Sequence, residues 1–362
     1  MIPPWTGLLT KRRAELRHAF RVAVAASLSF ALAKLLGLPQ GYWSVITAVV
    51  VVQTSIGATL GASRDRLIGT GVGALVGALA AGLGQASGSS WGELGALAVS
   101  VAVLGYAASV RPSLKIAPVT AVIMIVGGTS AQHGFALTAI LRVSGIALGG
   151  VLGVLVTLFV FPARARDAVR LNAQQVLVQL SDLLALYAER LEGEDHAAEF
   201  APLHDRLRAT LAKIETAVNE ATRETAARLT GARVTEAMPR TLWRLRNDAV
   251  MIGRASSHDW PALIAQRLAA PAATVLRSQA EQLRALSAVL DHDDTAPEPG
   301  TVETLTEFRA AFERLEHEVS PGALTFELLE QVFGLAYALE AFNQHLSDLG
   351  DRISEFSAGR AE

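Results

Sequence analysis

The sequence predicts an all-α protein in two halves: six membrane-spanning helices built as two inverted three-helix repeats, then a cytoplasmic helical bundle. Three observations predict it. Six apolar runs follow one another in the first half, charge is almost confined to the second half, and one arginine–glycine string is spelled twice. The division falls at Pro162, so residues 1–162 form the membrane domain and 163–362 the soluble one.

Of the 362 residues, 51 % are hydrophobic and 18 % charged, but the averages hide that division. Between Val22 and Phe161 the only acids are Asp65 and Glu93, and the bases are Lys34, Arg64, Arg66, Arg111, Lys115 and Arg142. The chain has no cysteine, which excludes disulfides, thiolate metal sites and cysteine catalysis. A net charge of −2 gives no electrostatic case for nucleic acid. No Walker loop follows a strand, and there is no His-x-x-x-His pair or GxSxG elbow, so neither an enzyme activity nor a metal or cofactor is expected.

The apolar runs approach the twenty residues that a bilayer requires. The first, Phe20–Leu38, follows the basic stretch "KRRAELRHAFR"; no small-residue cleavage site leads into a polar mature domain, so it reads as a retained span. Lys34 lies near its outer end, where it either snorkels to the headgroups or serves a site. After the turn "LPQG", Tyr42–Leu60 opens on Tyr42 and Trp43, which suit an interfacial aromatic belt or a surface for an aromatic ligand. Gln53 and Thr54 fall mid-run, as helix glue or as ligand contacts. The break "GASRDR" precedes Leu67–Leu83, and "GQASGSS" precedes Trp91–Val110. The fifth run, Leu114–Ala131, carries Pro118 early, where it is expected to free a carbonyl and kink or break the helix. "AQHG", with His133, precedes the sixth run, Phe135–Phe161.

Loop charge orients the spans. With the N-terminus inside, the inner segments hold Lys11, Arg12, Arg13 and Arg17; then Arg64 and Arg66; then Arg111 and Lys115; then Arg164, Arg166 and Arg170. The outer loops hold no Lys or Arg, so both termini are expected in the cytoplasm.

Arg66 leads Gly69, Gly73 and Gly77, and Arg142 leads Gly145, Gly149 and Gly153 at the same spacing, 76 positions on. The rest of each half aligns at an offset of 73, placing Thr47-Ala48-Val49 on Thr120-Ala121-Val122 and Ser27 on Ser100. A three-span unit copied once must enter the membrane the other way up, hence the inverted repeat. A glycine every fourth residue makes a smooth stripe that admits another backbone, so these six are expected as packing seams. Arg66 sits at the inner end of its span, as topology alone also requires. Arg142 is on the outer side, about 10 Å into a helix that starts at Phe135, or close enough to snorkel if it starts at Ala139. An intramembrane cation without a nearby acid is a functional-site hypothesis. The excess of cations points to an anion, and the lack of a buried carboxylate counts against a simple proton relay.

Beyond Ala163 the periodicity is helical. "DAVRLNAQQVLVQLSDLLALYAERL" puts Val169, Val176, Leu180, Leu183, Leu184, Tyr187 and Leu191 on one face. Pro202, Pro239, Pro261, Pro271 and Pro321 punctuate later helices, and "DHDDTAPEPG" reads as a link. "ALTFELLEQVFGLAYALEAFNQHLSDL" reads as one long amphipathic helix. Arg244, Arg246, Asp248 and Arg254 beside Trp243 form either a solvated helix face or a regulatory contact.

"GYWSVITAVVVVQTSIGATLGASRDRLIGTGVGALVGALAA" resembles the fusaric acid resistance / aromatic acid exporter family, through Tyr-Trp at the second span, Thr-Ala-Val, and Arg-x-x-Gly-Thr with small residues following. "LRNDAVMIGRA" resembles it too, and the order of six spans and a soluble helical domain is similar to the plant aluminium-activated malate transporters. The resemblance implies an exporter of organic, in particular aromatic, carboxylates, with Tyr42, Trp43, Arg66, Gly69 and Thr70 on the shared motif. Larger relatives carry the module twice, which implies a homodimer or larger assembly here. With Arg142 from the repeat, and Lys34 and Gln53 beside them, these residues make up the expected substrate site. An anion channel gated by the soluble half and a non-transporting scaffold are the alternatives.

Overall fold

A computed structural model describes residues 13–127, 135–162, 164–194, 196–227, 237–256, 260–292, 301–318 and 326–358. Those residues form helices joined by turns, with no strand among them. The chain forms two compact units, Met1–Ala165 and Arg166–Glu362.

The first unit contains α1 (Arg13–Leu35), α2 (Tyr42–Val51), α3 (Ile56–Ala86), α4 (Ser90–Val110), α5 (Ala117–Gly127) and α6 (Phe135–Phe159). Four have stretches long and apolar enough to cross a membrane: Glu15–Leu35, Ile56–Ala86, Ser90–Val110 and Ala139–Phe159. Small and polar side chains face inward and large apolar ones outward, the pattern of helices whose solvent is lipid. On α1 the buried stripe is Arg21, Ala25, Ser29 and Ala33, whereas Leu28, Phe30 and Leu35 are exposed.

The second and third elements differ from the expected runs. Helix α2 ends at Val51 rather than Leu60, and α3 starts at Ile56 and continues unbroken through "GASRDR" to Ala86. The turn is built locally. Ser55, in extended conformation, caps α3 by accepting the Ala58 N–H at 3.0 Å. Thr59 Oγ1 accepts the Gln53 N–H at 3.0 Å and donates to Ser55 O. "GASRDR" contains no proline, so each of its N–H groups can stay in the helical ladder, which an apolar setting favours. Arg64 and Arg66 therefore lie within α3 and not in an inner loop.

Among the described residues, helices α2 and α5 have 10 and 11 residues, or about 15–17 Å each against a hydrocarbon width of about 30 Å. A 3₁₀ turn, Pro112–Leu114, precedes α5. Pro118 is the second residue of α5, where no intrahelical N–H is needed, so it opens the helix instead of kinking it. His133 and the end of the fifth run lie outside the described residues.

The second unit contains α7 (Ala165–Leu191), α8 (Ala197–Ala226), α9 (Ala237–Ala255), α10 (Ala270–His292), α11 (Thr301–Glu318) and α12 (Phe326–Ala358). Val169, Val176, Leu180, Leu183, Leu184 and Tyr187 are buried along α7 in a core shared by all six helices. Pro202 lies inside α8 rather than ending it. Pro271 cannot donate back to Arg267, and a π-helical turn at Ala265–Ala269 sits at that point. Residues 293–300, most of the expected link, and Pro321 lie outside the described residues.

The Tyr187 hydroxyl and His204 Nε2 share a hydrogen bond at 2.9 Å, and burial pushes the phenol well above the ordinary range. Burial, assisted by Arg246 and Arg208, holds the His204 imidazole below its own, so both groups are neutral near pH 7. Gly253 lets the ring in: a Cβ there would sit 2.6 Å from Tyr187 Cζ. Gly253→Val is expected to destabilise this unit by about 2 kcal/mol. Thermal melting of the full chain followed by near-ultraviolet circular dichroism tests this, and an unchanged transition would contradict the contact.

Candidate functional site

The two glycine stripes make matching contacts. On α3, a Cβ at Gly73 would overlap the Ala117 carbonyl and lie 2.8 Å from Thr120 Cβ. On α6, one at Gly149 would overlap the Ser44 carbonyl and lie 2.9 Å from Thr47 Cβ. Gly77 meets Ala121 and Met124, while Gly153 meets Val51 and Ala48. Gly69 faces Ser113 and Ile116, and Gly145 faces Gln40 and Trp43. Each pair of neighbours is related by the 73-residue offset read from the sequence, so each stripe seats on the short helix of the other triplet.

Helices α3 and α6 run antiparallel. Thr59 and Thr157 hydroxyls lie 3.5 Å apart, and Ser63 Cβ is 3.7 Å from a Cβ placed on Gly150. Continuing that register brings Gly69 and Gly145 to one level. The first turns of α2 and α5 reach the same level, because Trp43 and Ile116 touch those two glycines. Two helix N-termini, each carrying the positive end of its dipole, therefore face the middle of the unit.

Arg66 and Arg142 lie one turn from those glycines. Arg142 is 3 % exposed, and its guanidinium carbon lies 4.0 Å from the centroid of the Trp43 ring. Its Nη2 is buried with no hydrogen-bond partner, as are Arg66 Nε and Trp43 Nε1. Arg66 is half-buried, and Arg66 and the Tyr42 phenol are within electrostatic range of Arg142. Tyr42 is exposed, its ring 5.3 Å from Trp43. Neither Arg66 nor Arg142 has an ion pair, and the acids of this unit among the described residues, Glu15, Asp65 and Glu93, are all exposed. An unpaired buried donor costs about 1–3 kcal/mol, more when charged.

Tyr42, Trp43, Arg66 and Arg142 thus come together; Lys34 and Gln53 do not join them. Lys34 is exposed in the last turn of α1. Gln53 closes the α2–α3 turn, its Nε2 donating to Val50 O at 2.9 Å, at the other end of α2 from Trp43. Thr70, on the shared motif, has a buried and unpartnered hydroxyl; those of Thr47 and Ser63, equally buried and unpartnered, were not singled out from the sequence. Only the alignment of Thr47 with Thr120 hinted at one of them.

In the second unit, Trp243 Nε1 donates to Glu215 at 2.7 Å and Arg246 lies 5.9 Å from the Trp243 ring. Asp248, its carboxyl raised by burial against the pull of His345, contacts His345 Nδ1 at 2.6 Å. Glu189, Glu194 and His196 offer three potential metal ligands, but the His196 ring contacts Glu189, Glu194 and Glu199 at 3.0–3.3 Å, and Glu199 foremost holds its imidazole above the ordinary range.

Apolar helices of spanning length around a buried, unpaired cation define a multi-pass membrane transport protein. The chain belongs to the fusaric acid resistance protein family (FUSC), whose model matches residues 15–360, nearly the whole chain. Transport and efflux across membranes are the activities of that family, which is not one of enzymes. No individual curated protein matches the chain.

Proposed function

We propose that the protein exports organic carboxylates, aromatic ones in particular, across a bacterial inner membrane. The observation that carries this reading is Arg142: buried, lying on Trp43, with one guanidinium nitrogen unpaired. A carboxylate would take that donor, Arg66 would add attraction, and the Tyr42–Trp43 pair would meet the ring. The six helices of the first unit form two inverted triplets, a reading supported by the reciprocal glycine contacts. Rocking at those seams opens the site to either face. Phe20 near the start of α1 and Phe161 after α6 are 5.9 Å apart, which supports one face for both ends of the unit. Basic residues at both ends make that face cytoplasmic, with the second unit (proposed as a cytoplasmic domain) on that side. A homodimer or larger assembly would cover part of α4, whose Trp91, Val99, Val103 and Tyr106 are exposed.

An anion channel gated by the soluble unit is the second reading, favoured by the absence of a buried carboxylate among the described residues of the first unit. Efflux of labelled 4-hydroxybenzoate from proteoliposomes under an imposed pH gradient or voltage separates the two. Saturable efflux that follows the pH gradient supports the exporter, and efflux driven by voltage alone supports the channel. No flux of any anion would leave a scaffold. Trp43→Leu is expected to raise the half-saturating concentration about twofold to thirtyfold, from a cation–π contact of about 0.5–2 kcal/mol. An unchanged value would remove Trp43 from the site.

A further inference from the structure

We propose that Arg21 and the N-terminal end of α3 form a second anion subsite, at the face where α1 begins and α6 ends. It extends the anion path described above and rests on that reading. Arg21 is 2 % exposed. Its Nη2 donates at 3.2 Å to the carbonyl of Thr54, the residue before the Ser55 cap of α3. Its Nε and Nη1 are buried with no partner.

The placement is electrostatically adverse. A helix N-terminus carries partial positive charge and favours an anion, so a cation held against it is repelled. Arg21 gains only one bond to a neutral carbonyl in return, and no ion pair joins it to an acid among the described residues. One carboxylate answers both demands, taking one of the unspent guanidinium donors while lying at the positive end of a 31-residue helix. His18 lies three residues earlier on the same face of α1, and its Nδ1 is also buried without a partner.

Buried hydroxyls lie between the subsite and the arginine pair. Ser29 Oγ, Thr47 Oγ1 and Ser63 Oγ are buried and unpartnered. Thr47 faces Gly149 and Ser63 faces Gly150, levels between the α2–α3 turn and Trp43. The subsite also occurs only once. At the 73-residue offset Arg21 corresponds to Leu94, so the second triplet lacks an equivalent cation. The path is therefore asymmetric where the backbone is nearly symmetric: an anion arriving at one face meets a charged trap that the other face lacks.

Equilibrium binding of radiolabelled 4-hydroxybenzoate to the full chain in nanodiscs tests the subsite without requiring transport. Two bound per chain are expected, falling to one in Arg21→Gln and to one in Arg142→Gln. One bound per chain, lost in Arg142→Gln and kept in Arg21→Gln, would overturn the subsite and leave the central site standing. One lost only in Arg21→Gln would do the reverse, and no binding would overturn both. If Arg21→Gln does not fold, Arg21→Lys decides. It keeps the charge but loses the planar guanidinium and its several donors, so one class should loosen about fivefold or more. Two classes of unchanged affinity would overturn the proposal.

Discussion

Arg142→Gln is expected to abolish saturable efflux of 4-hydroxybenzoate while the protein elutes and melts as the wild type does. The residue has no ion pair to lose, and its contact is the face of Trp43. Glutamine keeps a donor but removes a charge held in a nearly closed, poorly hydrated setting. Folding loses at most a cation–π contact and is relieved of an unpaired buried donor, so stability moves little. The anion loses its charge-assisted bond, about 1.5–3 kcal/mol, and faces desolvation uncompensated. The expected fall in flux at fixed concentration is about 100-fold or more. Wild-type flux in Arg142→Gln would reduce the residue to a packing element.

Gly73→Leu and Gly149→Leu are expected to fail to assemble. The Cβ alone would overlap the carbonyl of Ala117 in one case and of Ser44 in the other, and a backbone carbonyl cannot swing aside as a side chain can. The helices must separate, at a cost of about 3 kcal/mol or more, beyond ordinary overpacking. Gly71→Leu on α3 is the control, because nothing lies within 4 Å of a Cβ there. Fluorescence-detected size exclusion should show a monodisperse peak for Gly71→Leu and aggregate or no peak for the other two. Equal peaks in all three would deny that the stripes are seams.

Much of this was legible because it rests on periodicity and apolar length. The four long helices follow from their hydropathy, the buried face of α7 from its 3.6-residue spacing, and the seam glycines from their fourfold repeat. The α2–α3 turn was not legible. "GASRDR" has the composition of a loop, while the true turn, "VQTS", is closed by Ser55 and Thr59, whose bonds depend on a conformation that composition does not reveal. Arg66 moved from a loop into a helix for that reason. Arg142 stood out because it broke the charge rule for its side. Arg21 did not, because it sits at the edge of a basic stretch, and only its burial distinguishes it from Arg17.

The reciprocal seating of the stripes has a consequence for biosynthesis. Helix α3 precedes Ala117–Gly127 in the chain, so its seam must wait, unclosed, for a helix made after it. The seam of α6, by contrast, finds α2 already in place. A nascent chain stopped after Ala86 therefore holds a complete short helix and a complete stripe with neither joined to its mate, and a second such chain, inserted upside down, would offer both.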